Sequence, residues 1–166
     1  MNKNSDSPKY IDVKRTDNQR KAETIERMKE LYRKQSFGVL ATQGEEDAST
    51  SLISFVVSDD FSQLIFASPS DTKKIDSIKQ NQEVSILVDN RDQQPETIND
   101  IVAVSAEGHA KILDKNSKEE FSNALIEKHQ YLKDFIAADS TVIVSVDISN
   151  YYYVSSFQET LEWSPD

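Results

Sequence analysis

Residues 64–78 read LIFASPSDTKKIDSI, and the change of pattern inside this stretch decides the fold. Up to Ser68 the residues are apolar or small, as in a buried strand, and Pro69 stops the run. Ser70, Asp71 and Thr72 then offer N-caps for a short helix whose Ile75 and Ile78 are spaced to face inward. Two readings of this junction stand side by side. Thr72, Lys73 and Lys74 at a helix start would gather a hydroxyl, two ammonium groups and unpaired N–H groups, which suits a terminal phosphate. In the plainer reading Asp71 caps the helix and both lysines are solvated.

On either side of this stretch the pattern is mostly β. Residues 37–42, 50–58 and 63–68 alternate or are rich in β-branched and aromatic side chains, and of the turns between them the first carries Gly44 and three acids and the second is the compact Ser58-Asp59-Asp60-Phe61. Residues 83–90 form another strand, residues 91–100 a polar loop around Pro95, and residues 101–113 a strand long enough to bend. In that strand Val102, Val104, Ala106, Gly108 and Ala110 share a face. Two closing strands are predicted at 141–148 and 151–157. Amphipathic helices are predicted over 21–34, with Ile25, Met28, Leu31 and Tyr32 in register, and over 117–135 behind a capping-box spacing. Residues 1–20 lack an apolar period and read as a flexible tail, leaving residues 21–166 as a single domain. Six or seven antiparallel strands without a βαβ rhythm imply a mainly β protein, a small closed or partly open barrel with flanking helices.

Composition narrows the function. The 166 residues carry 19 Lys and Arg against 29 Asp and Glu, a formal charge of -10, which disfavours nucleic acid and anionic membrane surfaces as partners. With three Gly in all, neither the Rossmann fingerprint nor a Walker A loop can be written. The absence of Cys excludes thiolate metal sites and thiol nucleophiles, and two His are too few for a three-His metal site within one chain, so no metal is expected. No apolar stretch nears the roughly 20 residues of a spanning helix, and the polar start lacks an export segment, so a cytoplasmic location is expected.

Other candidates have plain alternatives. Asn90 and Arg91 at a strand end could clamp a carboxylate or lie beside a cofactor ring, or Arg91 could simply pair with Asp89 or Asp92. His109 and His129 read as ordinary surface or interface residues, and Tyr151, Tyr152, Tyr153, Phe157 and Trp163 as an aromatic lid or as core and oligomer contacts. There is no G-x-S-x-G nucleophile elbow, and no side chain stands out as a catalytic base.

Taken in order, FGVLAT, TSLISFVVSDD, LIFASPSDTKKIDSI, VSILVDNR and YYYVSSFQ resemble the pyridoxamine 5'-phosphate oxidase-like, FMN-binding split-barrel family. The resemblance implies a six-stranded antiparallel split barrel that pairs as a homodimer, with FMN at the interface. By position it implies that Thr72, Lys73 and Lys74 hold the FMN phosphate. Ser51, Leu52, Ile53 and Ser54 would run along the flavin ring, and Phe66, Ala67 and Ser68 would line the same pocket. Asn90 and Arg91 would be further pocket residues, and Gln158 would reach the partner's flavin. The expected function is that of an FMN-dependent oxidoreductase acting on an unidentified small molecule. The alternatives are a deazaflavin- or haem-binding barrel, or a non-enzymatic flavin store or redox sensor. The true oxidase carries an Arg-x-His segment near its C-terminus, and SSFQETLEWSPD has neither residue, so pyridoxine-phosphate oxidation is not expected. Lys73 also stands where the family often has Arg, and Ser156 where closer relatives have it.

Overall fold

Alternation of buried and exposed positions along each strand dictates which face closes on the core. The computed structural model describes residues 18–114, 116, 119–155 and 159–166. In chain order these form α1 (Asn18–Lys34), β1 (Phe37–Gln43), β2 (Ala48–Val57), β3 (Gln63–Pro69), α2 (Lys73–Gln80), β4 (Glu83–Asp89), β5 (Val102–Leu113), α3 (Glu119–Lys128), α4 (Lys133–Ala137), β6 (Thr141–Ser155) and β7 (Glu159–Trp163). The strand order is β3-β2-β1-β4-β5-β6-β7, and β3 also pairs with β6. That extra pairing closes strands β1 to β6 into a six-stranded antiparallel barrel, with β7 continuing the sheet beyond the second half of β6.

Leu40, Ile53, Phe55, Leu64, Phe66, Ile86, Val104, Val144 and Val146 fill the barrel, as their alternation requires. Helix α1 lies against this core through Met28, Leu31 and Tyr32, each side chain worth roughly 1.5–3 kcal/mol when fully buried. A smaller cluster of Ile65, Leu125, Ile136 and Ile143 lies on the other face of β3 and β6, under α3 and α4.

Three expectations are corrected. The closing strands predicted at 141–148 and 151–157 are, as far as Ser155, one strand, β6, with its first half paired to β3 and its second to β7, and residues 156 and 157 lie outside the described residues. A bulge marks the change of partner, for Gly108 faces Ile148 while Glu107 faces Asn150, leaving Ser149 as the extra residue. Strand β7 was not anticipated. The helix predicted over 117–135 is interrupted, because His129 leaves helical geometry (φ -131°, ψ 75°) and turns its ring inward. His129 itself, read as an ordinary surface or interface residue, is 2% exposed. No helix among the described residues is long and apolar enough to cross a membrane.

Candidate functional site

The barrel is not evenly laced. Strands β1 and β2 pair continuously from Phe37–Ser54 to Gln43–Ala48, and β3 pairs with β6 along its whole length. Between β2 and β3, however, only Phe55–Phe66, Val56–Ile65 and Val57–Leu64 pair. From Ser54 back along β2, and from Ala67 onward in β3, the two edges part. Alternate N–H and C=O groups on those facing edges therefore have no ladder partner among the described residues, which leaves hydrogen-bonding capacity for a ligand. This seam brings together two of the predicted segments, Ser51 to Ser54 and Phe66 to Ser68.

Their side chains divide between faces. Ile53, Phe66 and Ser68 point into the barrel and are at most 5% exposed, so only their backbone can meet a ligand in the seam. Ala67 faces the smaller cluster under α3 and α4. Leu52 is 70% exposed on the outer face. The Ser54 hydroxyl pairs with that of Tyr131 at 2.8 Å, which fastens the turn after α3 beside the seam.

The chain leaves β3 at Pro69 and enters α2, so the helix start follows directly from the seam. Thr72 is the N-cap, with extended backbone (φ -106°, ψ 154°), and not Asp71 as in the plainer reading. Its hydroxyl does not cap the helix; it pairs with Ser68 Oγ at 3.1 Å and donates to Pro69 O at 3.3 Å. The first-turn N–H groups are thus left without a side-chain acceptor, the condition for anion binding at a helix start. The two lysines differ. Lys73 Nζ meets Asp47 Oδ2 at 2.9 Å, whereas half-buried Lys74 forms no ion pair among the described residues.

Asn90 and Arg91 lie two strands away from β2. The Asn90 amide accepts from Val102 N at 2.8 Å and donates to Asp100 O at 3.1 Å, tying the polar loop across its base. Arg91 forks onto Asp89, with Nε and Nη2 each 2.9 Å from a carboxylate oxygen, so the pairing alternative is the one realised. Arg91 nonetheless lines a cavity of about 360 Å³ with Phe37, Val39, Leu52 and Leu87 on the outer face, and Leu52 connects that cavity to β2. Gln158 lies outside the described residues.

The sequence reading missed the support behind the seam. His129 Nε2 donates to Phe55 O at 2.8 Å, at the last residue before β2 and β3 part. Lys128 Nζ donates to Gln35 O at 2.7 Å and Tyr32 O at 3.3 Å, satisfying carbonyls at the end of α1, and burial pushes its pKa down to about 8. Only the capping-box helix pointed to this region; nothing local marks Lys128 or His129 as inward.

Burial lowers the His129 pKa from 6.5, with the Lys128 charge adding to the effect and the Phe55 carbonyl opposing it. The unfolded chain therefore takes up a proton below about pH 6.5 that the folded chain resists. Stability is full above that pH and is lost as the pH falls through it. Melting temperatures between pH 7.5 and pH 5.5 are expected to fall, and more steeply than in His129→Gln; equal slopes would remove His129 as the cause.

Comparison with known proteins agrees with this fold. The general stress protein 26 from Bacillus anthracis str. Sterne is similar at 22% identity over 83% of this chain and 97% of that one, with a TM-score of 0.62. A FAD-binding protein from Mesorhizobium loti is similar at 18% identity over 74% of this chain and 88% of that one (TM-score 0.60). The haem storage protein HutZ from Vibrio cholerae is similar at 12% identity over 75% and 89% (TM-score 0.66). At these identities the likeness is one of fold. No curated protein sequence matches the chain. The model of the pyridoxamine 5'-phosphate oxidase family matches residues 24–155, which hold the barrel, the seam and the basic helix start, and the chain belongs to that family.

Proposed function

We propose that the chain binds FMN in the seam between β2 and β3 and serves as a flavin-dependent oxidoreductase for a small molecule, working as a homodimer. The observation that carries this reading is the opening of the β2–β3 ladder directly before an uncapped helix start bearing Lys74. The residues present fit the cofactor. Free backbone groups of Ser51 to Ser54 and of Ala67 and Ser68 would meet the polar edge of a flavin ring, and the first-turn N–H groups of α2 with Lys74 would take the phosphate. When bound, FMN supplies the electron-accepting ring. The protein's part is to orient that ring against a rigid strand edge, which His129 and Tyr131 brace from behind, and to hold the dianion.

Leu52 and Phe37, 70% and 51% exposed, share the outer face with Val39 and Leu87. A second copy seated there would bury this patch, and sedimentation is expected to give a dimer. A haem reading needs an iron ligand, and the two imidazoles are poorly placed for one. His109 lies on the exposed outer surface with Nδ1 2.9 Å from Glu83, and His129 is buried with Nε2 engaged.

The test is Lys74→Ala, read as FMN affinity by fluorescence titration with riboflavin alongside. A lost charge–phosphate pair costs on the order of 2–5 kcal/mol, or at least about 30-fold in affinity. Riboflavin, which lacks the phosphate, is expected to bind wild type and variant alike. Unchanged FMN affinity in the variant would overturn the phosphate assignment.

A further inference from the structure

The cation at the first position of α2 is already in use. Lys73 Nζ lies 2.9 Å from Asp47 Oδ2, and Asp47 belongs to the acidic turn Glu45-Glu46-Asp47 between β1 and β2. The turn is closed on itself and held over α2 at two points, of which the Lys73–Asp47 pair is one. Gly44 N donates to Asp47 O at 2.9 Å, closing the turn, and Glu45 N donates to Oε1 of Gln80, the last residue of α2, at 3.0 Å. The acids are thereby strapped along the helix from its end to its start. Between turn and helix is a cavity of about 280 Å³ whose lining includes the carboxylates of Glu45, Glu46, Asp47 and Asp76 and a single ammonium, Lys73.

From this placement we propose that the β1–β2 turn is a tethered competitor at the phosphate subsite. Asp47 neutralises Lys73 in the unliganded chain, and a phosphomonoester must displace the carboxylate before it gains the second lysine. The inference rests on the phosphate reading given above and adds its regulation: Asp47 lowers the affinity for phosphate-bearing flavin and leaves flavin lacking phosphate unaffected. Two further observations agree. The Lys73 hydrogen bond and charge hold the Asp47 carboxyl below its usual range, so the competitor is ionised at neutral pH. Both side chains are more than half exposed, at 65% and 59%, so the pair is weak enough to be exchanged.

The experiment titrates FMN and riboflavin into wild type, Asp47→Asn, Lys73→Met and the double variant, at low salt. An exposed ion pair is worth at most about a kilocalorie, so Asp47→Asn is expected to tighten FMN roughly 2- to 5-fold. Riboflavin affinity should not change, and the gain should vanish in the Lys73→Met background. Unchanged or weaker FMN binding by Asp47→Asn would overturn the proposal. So would a gain that persists without Lys73, since that is long-range repulsion and not competition for the lysine. If wild type binds FMN no more tightly than riboflavin, the phosphate reading has itself failed and the proposal falls with it. Asp47→Ser repeats the charge removal with a smaller side chain, so that a folding defect in one variant does not decide the outcome.

Discussion

Replacing Gly108 with alanine is expected to lower the melting temperature by roughly 6–12 °C, although it adds a single methyl group. A Cβ at this position would lie 2.3 Å from Asp147 O and 3.0 Å from both Asp147 C and Ile148 Cα. All three atoms are backbone, so no rotamer change relieves the contact. They belong to the part of β6 next to the bulge at Ser149, whose Oγ donates to Glu107 O at 3.1 Å. There the strand exchanges β3 for β7, and Ile148 N donates to Ser62 O at 2.8 Å. Pushing the corner outward would disturb both partner strands. Overpacking of this kind costs about 3 kcal/mol, which for a chain of this size corresponds to the stated shift at about 2–4 °C per kcal/mol. Gly44→Ala is the control. Its Cβ would come within 2.9 Å of Gln80 Oε1, the end of a flexible side chain that can swing away at the cost of one exposed hydrogen bond from Glu45 N, so a loss of at most about 1 kcal/mol is expected. Thermal denaturation of both variants checks the contrast; an equal, small loss in each would mean that the β6 corner yields.

Gly108 also shows what can be read in one dimension. Residues 101–113 could be recognised as a strand long enough to bend, with Gly108 on its buried face, because period-two alternation is a local signal. The partner carbonyl that makes the glycine necessary is supplied by Asp147, and no local pattern contains it. The same division holds at the site. The stop at Pro69, the helix with Ile75 and Ile78 inward, and the basic pair were legible, since caps and periods are written within a few residues. The opening between β2 and β3 was not, because it depends on where a ladder between two strands ends. The Glu45-Glu46-Asp47 run reads as a solvated turn until α2 is folded beneath it. His129 was misplaced for a related reason. Its neighbours Lys128 and Gln130 are polar, and only the approach of β2 supplies the Phe55 carbonyl toward which the ring turns.

Removing the ring of Tyr32 is expected to be the most costly single change in the core, and it separates what holds α1 from what builds the site. Tyr32 is fully buried where α1 meets the barrel, and it packs edge-on against Phe55 and Tyr151 at centroid distances of 5.6 and 5.3 Å. Its hydroxyl lies 2.9 Å from Ile86 O and 3.2 Å from Val104 O, on strands β4 and β5. Burial raises its pKa well above the ordinary value, so it acts only as a neutral donor. Tyr32→Phe keeps the ring and loses one shared hydrogen bond, a loss of about 1 kcal/mol. Tyr32→Ala removes the ring and leaves a cavity among aromatic neighbours, a loss of about 3–5 kcal/mol. Chemical denaturation is expected to give that order and ratio. Near-equal losses would show that the hydroxyl, and not ring packing, docks the helix. The Tyr32 hydroxyl is anchored on β4 and β5 and not on the edges where β2 and β3 part, so Tyr32→Phe is expected to keep its FMN affinity while Lys74→Ala keeps its stability. Stability and cofactor affinity would then answer to different residues, as expected of a ligand held by a strand edge and a helix start and not by the packed interior.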